Sequence, residues 1–387
     1  MENTWNKIRE IVTKLRGLTT LGIADVTGNA ITAILWLYIA NLLGAESYGE
    51  ISYFLAIAGI VSTISLAGAG NTLVVYTAKN VKIQPPIYLI SLIFVGMSST
   101  VLFFIFYNTA LSLVTFGYAI FALVISEILG RKLYNTYAKY VIIQKILMTA
   151  LAIGLFYVFG SSGVILGIGI SFLPYLVKIY DGFKDQKIDF SLIRSRFGFI
   201  INSFILDVSN TFIGSIDKII IAPLFGFALL GNYQLAIQFL MMLYILPNIF
   251  YNYLLPREAS GIPTKRIRSG AILISVVFSI LGLVLSPVVL PILFPKFTNA
   301  ILVLQIVSLA VIPHTINLTL YSKFLGLEKI KIVFVGSGIF LCVQISSIIV
   351  LGQLFGINGV AVALVLAELA QTAYFLGAQK IVKISMS

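Results

Sequence analysis

Five carboxylates lie inside long apolar runs of this sequence: Asp25, Glu127, Asp207, Asp217 and Glu368. A charge at the centre of a bilayer costs on the order of 2.5–3.5 kcal/mol, so each needs a reason to be there. Asp207, Asn210, Thr211, Gly214, Asp217 and Lys218 share one helical face, flanked by Ile, Phe and Leu. Such a face either lines a transport cavity, with Lys218 drawing in an anionic group, or forms a structural polar seam with Asp217 and Lys218 satisfied locally. Asp25 shares a face with Gly28, Asn29 and Thr32. It is either a carboxylate for a coupling proton or cation, or an interfacial acid held by the helix dipole. Asp207 and Glu368 are the other candidates for the coupling ion. Glu368 forms a small polar face with Gln371 and Thr372, and His314 forms another with Asn317 and Tyr321, just after Pro313. A proline there would kink the helix. Both faces line a cavity or serve only in packing, so His314 and Asn317 join Asn210, Thr211, Asp217 and Lys218 as substrate-binding candidates. Glu127 and Arg131 stand four apart and read as an intrahelical ion pair.

Other chemistries are poorly supplied. One cysteine, Cys342, and one histidine, His314, exclude an internal disulfide and a His-rich metal centre. No nucleotide-binding glycines or paired carboxylates occur, and the outer connections carry only Glu46, Glu50 and Lys296 as charges. A polymerase or glycosyltransferase would need acid or basic clusters there. The expectation is a protein that is not an enzyme, with no metal and no cofactor.

The elements that must position these groups are membrane helices. Of 387 residues, 59% are hydrophobic and 10% charged, with a mean hydropathy of +1.04. A soluble domain carries about 25% charged residues. Spans of about 20 apolar residues are predicted at 19–43, 48–68, 86–107, 110–130, 139–160, 163–181, 197–225, 230–255, 269–293, 299–325, 330–354 and 357–381. The fold class is therefore all-α integral membrane with twelve transmembrane helices. The net charge is +12, and between the spans the basic residues fall in every second connection. Lys79 and Lys82; Arg131, Lys132 and Lys139; Lys184, Lys187, Arg194 and Arg196; Arg257, Lys265, Arg266 and Arg268; and Lys323, Lys329 and Lys331 fall on one side, with Lys380 and Lys383 after the last span. The intervening connections hold only Lys296. This places both termini in the cytoplasm and argues for a multi-pass protein of the cell membrane, with lipid rather than nucleic acid around it. The first apolar run is too long for a cleaved signal sequence. Before it, Trp5, Ile8, Val12 and Leu15 recur among Lys7, Arg9, Lys14 and Arg16, as in a basic amphipathic helix on the inner leaflet. Nothing in the sequence requires more than a monomer.

The two halves echo each other. With a shift of 182 residues, Asp25-Val26 falls on Asp207-Val208, Ile34 on Ile216, Ile39-Ala40 on Ile221-Ala222, and Leu42, Gly44 and Gly49 on Leu224, Gly226 and Gly231. With a shift of 196, Phe159, Gly160, Gly163 and Val164 fall on Phe355, Gly356, Gly359 and Val360. The expected organisation is a basic amphipathic segment over 1–17, a six-helix lobe over 18–181, a cytoplasmic connection over 182–196 and a second six-helix lobe over 197–387. The lobes would be related by a pseudo-twofold axis along the membrane normal, as parallel transporter repeats are.

Three segments carry a family signal: Leu43-Gly44-Ala45-Glu46-Ser47-Tyr48-Gly49-Glu50, Gly231-Asn232-Tyr233-Gln234-Leu235-Ala236 and Phe355-Gly356-Ile357-Asn358-Gly359-Val360-Ala361, with Ser215-Ile216-Asp217-Lys218 ahead of an aliphatic run. Together they resemble the polysaccharide transporter family, the Wzx-type O-antigen or lipid-linked oligosaccharide flippases of the multidrug/oligosaccharidyl-lipid/polysaccharide exporter superfamily. The resemblance extends over essentially the whole chain. It implies two six-helix lobes around a cavity that faces the two sides alternately. It further implies a polyprenyl-linked sugar, undecaprenyl or dolichyl, turned over without chemistry on the lipid. A cation-coupled small-molecule antiporter of the multidrug type, from the same superfamily, is the alternative.

Overall fold

The computed structural model describes residues 2–184, 188–260 and 263–384, with side chains from 19 to 381 apart from 256 and 259 within those ranges. The amphipathic face expected over 1–17, Lys187 and Lys383 therefore lie outside the described residues. Fifteen α-helices follow one another: α1 Glu2–Leu43, α2 Ala45–Leu66, α3 Ala69–Ala78, α4 Gln84–Phe106, α5 Thr109–Gly130, α6 Tyr134–Ile170, α7 Leu176–Lys184, α8 Ser191–Arg194, α9 Phe197–Phe225, α10 Phe227–Leu243, α11 Ile245–Ala259, α12 Lys265–Leu293, α13 Ala300–Ser308, α14 Val311–Gly326 and α15 Ile330–Ile384. No strand occurs among the described residues. In lipid an all-helical chain is one of only two ways to satisfy every backbone group internally. Among the described residues nine stretches are long and apolar enough to cross a membrane, or ten if the pair α10 and α11, bent by 43°, is one span. The chain is a multi-pass membrane protein.

Two of those stretches, Tyr134–Lys184 and Ile330–Ile381, contain 51 and 52 residues. As straight rods at 1.5 Å per residue they would far exceed the roughly 30 Å of hydrocarbon. Neither is straight. Gly160 (φ 63°, ψ −142°) and Gly356 (φ 59°, ψ −137°) leave the helical conformation in the same way. Beyond each, the chain doubles back on itself. A Cβ on Gly163 would collide with the carbonyl of Leu155, one on Gly167 would lie 2.5 Å from the carbonyl carbon of Leu151, and one on Gly359 would collide with the carbonyl of Leu351. Each stretch is a helical hairpin whose arms touch through glycine. Lipid gives apolar helices no reason to exclude it, so close backbone approach of this kind is what holds such arms together.

The packing groups the chain into two compact units, residues 1–39 with 54–215 and residues 40–53 with 216–387. In the first, Leu73, Tyr88, Ile120, Leu123, Val124 and Tyr175 form a buried cluster where α3, α4 and α5 meet. Tyr88 donates to Glu127, and Arg131 lies 2.7 Å from the same carboxylate, so the i,i+4 pair forms as the spacing predicts. In the second, α2 crosses α10 through Gly49 and Gly231. A Cβ on Gly49 would lie 2.7 Å from the Gly231 nitrogen, and one on Gly231 would collide with the Ala45 carbonyl. Backbone faces backbone at this crossing, so neither side can yield. Gly231→Ala should therefore cost about 3 kcal/mol by overpacking, read as a fall in Tm of the purified protein in detergent; an unchanged melt would contradict the crossing.

Lys296, alone among the basic residues in breaking the charge alternation, has a local task. Its ammonium donates to the Leu42 carbonyl at 3.0 Å, and Asn41 Nδ2 donates to the Leu293 carbonyl at 2.8 Å. The last carbonyls of a helix lack intrahelical donors and carry the negative end of its dipole. A cation placed there caps α1 before the turn at Gly44 (φ 83°).

Candidate functional site

The polar face of α9 is divided between the two units. In the first, Asn71 of α3 donates to Asp207 Oδ1 at 2.8 Å, and the Thr211 hydroxyl lies 3.1 Å from that of Thr63. Asn210 is exposed. Asp25, also exposed, accepts a hydrogen bond from the Tyr137 hydroxyl at 2.8 Å. Asp25 and Asp207, equivalent in the sequence register, thus have different partners on different helices.

In the second unit, Asp217 is buried and accepts from the Lys218 backbone N–H at 2.8 Å and from its ammonium at 3.2 Å. The Tyr233 hydroxyl of α10 bonds to the same carboxylate. Lys218 is thus held in an ion pair, with 15% of its side chain exposed. A buried pair of this kind gains from its mutual charge only if further hydrogen bonds complete it, and Tyr233 supplies one.

A larger cluster lies where α14 meets α15. His314 Nδ1 donates to Glu368 Oε1 at 2.8 Å. Asn317 Nδ2 donates to Glu368 Oε2 at 2.7 Å and to its backbone carbonyl at 3.0 Å. The Thr372 hydroxyl lies 2.8 Å from both Asn317 Oδ1 and the Glu368 carbonyl. Glu368 is only 4% exposed, so these donors replace the water it has lost. Tyr244 stacks flat on His314, ring centroids 3.8 Å apart and planes 10° from parallel. Its buried hydroxyl has no hydrogen-bond partner among the described residues.

Local breaks in two helices build this cluster. Tyr244 is the single residue between α10 and α11, at the 43° bend. Leu309 and Ala310 separate α13 from α14, which places His314 in the first turn of α14. The free N–H groups of a half-helix start favour a carboxylate nearby. Discontinuous helices with charged groups at their ends are how transporters commonly build midplane sites. Among the described residues no three His, Cys, Asp or Glu side chains gather as metal ligands.

The structure thus joins three of the predicted residues, His314, Asn317 and Glu368, and pairs two more, Asp217 and Lys218. Asp25, Asp207, Asn210 and Thr211 belong to neither group. Tyr233 and Tyr244 were missed. Aromatic residues are common throughout the sequence, and only the break after Leu243 distinguishes Tyr244.

No family model matches the sequence, and no curated protein does. Solved structures do. Lipid II flippase MurJ, in an inward closed conformation, is similar over 93% of this chain and 87% of its own, with a TM-score of 0.73 at 16% identity. An inward-facing multidrug resistance MATE transporter of the MOP superfamily is similar over 96% and 99%, with a TM-score of 0.70 at 14% identity. The chain has the fold of the MOP-superfamily transporters. A third MOP transporter, from Pyrococcus furiosus, whose binding pocket has reversed polarity, gives 0.62 at 14% identity over 96% of each chain. All three are transporters, not enzymes.

Proposed function

We propose that this chain is a flippase that carries a lipid-linked oligosaccharide or polysaccharide precursor across the cytoplasmic membrane by alternating access. The observation that carries the transport reading is the buried Glu368 carboxylate, held by His314 and Asn317 where α14 meets α15. Ionisable groups in apolar helices are retained at a cost, and their default reason is a pathway or a coupling ion. Glu368, with His314 and Asn317, is the coupling site in this proposal, and the Asp217–Lys218 pair meets the anionic phosphate of the substrate. Asp25, Asp207, Asn210 and Thr211 are secondary candidates from the first unit. The flippase reading draws on the family-like segments. Their glycines, Gly44, Gly49, Gly231, Gly356 and Gly359, sit at the turns and close approaches that make the fold. The likeness to a lipid flippase is consistent with it.

One observation favours the second reading, a cation-coupled small-molecule antiporter. Asp217 balances the charge of Lys218 at 3.2 Å, so a neutral or cationic cargo would not be repelled. Lys218→Ala tests the part the pair plays: in the flippase reading glycan export should be lost while the protein remains in the membrane, and normal export would remove Lys218 from the site.

We further propose twelve crossings with both termini cytoplasmic, in two lobes related by a pseudo-twofold. Splitting the two long stretches at Gly160 and Gly356, and joining α10 to α11, gives twelve. The matching backbone angles at Gly160 and Gly356, and the mutual contact of Gly49 with Gly231, support the repeat. Reporter fusions after Lys82 and Lys383 should read cytoplasm and one after Phe297 outside; an outside signal after Lys383 would overturn the even count.

A further inference from the structure

The first unit contains an apolar groove of about 580 Å³, lined among others by Leu66, Ile87, Phe94, Ile193, Phe197 and Phe204. It exists because α2 stops at Leu66 and the chain swerves through Ala67 (φ 48°) and Gly68 (φ 79°) onto α9. A Cβ on Gly68 would lie 2.8 Å from the Phe204 nitrogen, so α3 starts pressed against α9 and the wall of α4 is left uncovered. The hydroxyls along the groove are already paired. Ser65 donates to Ser98 at 2.9 Å and Ser91 to the Leu66 carbonyl at 3.4 Å. The walls offer little to a sugar or to water, and much to a hydrocarbon chain.

Two cations stand next to the wall of the groove in the chain or against a shared ring. Ile193 and Phe197, both in its wall, flank Arg196. The Arg196 guanidinium lies 5.0 Å and the Lys79 ammonium 5.5 Å from the centroid of one ring, that of Tyr76. Phe199 braces that ring edge-on at 5.3 Å. Arg196 donates only to the Leu192 carbonyl and the Ser195 hydroxyl. Among the described residues no carboxylate pairs with Arg196 or Lys79. Both cations lie against the one ring without a carboxylate partner, and an anion beside it would offset their charge. Arg194, exposed on α8, adds a third positive charge close by in sequence. An apolar trough with basic residues next to its wall is complementary to one molecule class, an anionic lipid with its chain in the trough and its phosphate at the cations.

We propose that this groove holds an acyl chain of an anionic membrane phospholipid, with its phosphate bridging Arg196 and Lys79. This goes beyond the flippase reading and does not depend on it, because a resident lipid would serve either kind of transporter.

The test is native mass spectrometry of the full chain in non-ionic detergent, titrated with phosphatidylglycerol, phosphatidylcholine or undecaprenyl phosphate. Phosphatidylglycerol should be retained on the order of tenfold better than phosphatidylcholine, from two basic contacts. The double variant Lys79→Gln/Arg196→Gln should bring it down to the phosphatidylcholine level. Ser98→Trp, which fills the groove without touching the cations, should reduce retention of both. Inorganic phosphate in excess should displace neither. Equal retention of the two phospholipids, or an undiminished preference in the double variant, would overturn the site. Preferred retention of undecaprenyl phosphate, lost in the same variants, would overturn the phospholipid as occupant and give the groove to the transported lipid.

Discussion

Replacing Glu368 by glutamine is expected to reduce transport about 10- to 100-fold, from the loss of hydrogen bonds to a charged group. Glutamine keeps the shape of the side chain. It also brings an NH2 group to oxygens that now accept from His314 Nδ1 at 2.8 Å and Asn317 Nδ2 at 2.7 Å. Either Asn317 Nδ2 then faces another donor in a buried site, or His314 must change tautomer so that Nδ1 accepts from the new NH2. If Glu368 carries the coupling ion, the residual transport should also cease to respond to the driving gradient. Tyr244 also acts on this pair, stacked on His314. Tyr244→Phe removes an unpartnered hydroxyl and keeps the stack. It should leave stability nearly unchanged, and any transport defect it causes would belong to the cluster rather than to folding. Wild-type rates and coupling in Glu368→Gln would reduce the cluster to packing.

Asp217→Ala is expected to be the most damaging single change to stability, at about 3–5 kcal/mol. It leaves the ammonium of Lys218 on α9 and the hydroxyl of Tyr233 on α10 without their shared acceptor. Replacing both charges, Asp217→Asn with Lys218→Met, should recover most of the loss, because a buried ion pair exchanged for neutral groups is often close to neutral in stability. Thermal melts of the wild type, the single variants Asp217→Asn and Lys218→Met, and the double variant give the coupling directly. Glycan export by the recovered double variant then decides the role of the pair. Lost export at restored stability assigns it to the substrate path, and normal export makes it structural.

How much of this was legible beforehand depended on the range of each interaction. The membrane helices were readable because hydropathy is a local property. So were the hairpins: Gly160 and Gly356 stood at the predicted span ends, and a residue without a Cβ is what a φ near 60° requires. The Glu127–Arg131 pair was four residues apart and therefore visible. The cluster was visible only as two fragments. His314 with Asn317 and Glu368 with Thr372 each showed as a helical face, but 54 residues separate His314 from Glu368 and nothing local joins them. The face of α9 misled in a different way. Helical periodicity shows that Asp207 and Asp217 point the same way, yet it says nothing about which neighbour each meets, and the one meets Asn71 while the other meets Tyr233. Lys296 read as an exception to a charge rule because a helix cap supplied from 254 residues away leaves no trace in the sequence around it.

The central claim is that the cargo is a lipid-linked sugar. The most direct measurement reconstitutes the purified full chain in sealed vesicles with a fluorescent oligosaccharide on a polyprenyl diphosphate, then adds a quencher that cannot cross the bilayer. Vesicles with the protein should expose label from both leaflets on the timescale of minutes, whereas protein-free vesicles should expose the outer-leaflet share alone and Glu368→Gln vesicles should expose the rest about 10- to 100-fold more slowly. If the inner-leaflet label stays protected with the native protein, and the same vesicles instead exchange an organic cation against an imposed ion gradient, the flippase account is contradicted and the antiporter account takes its place.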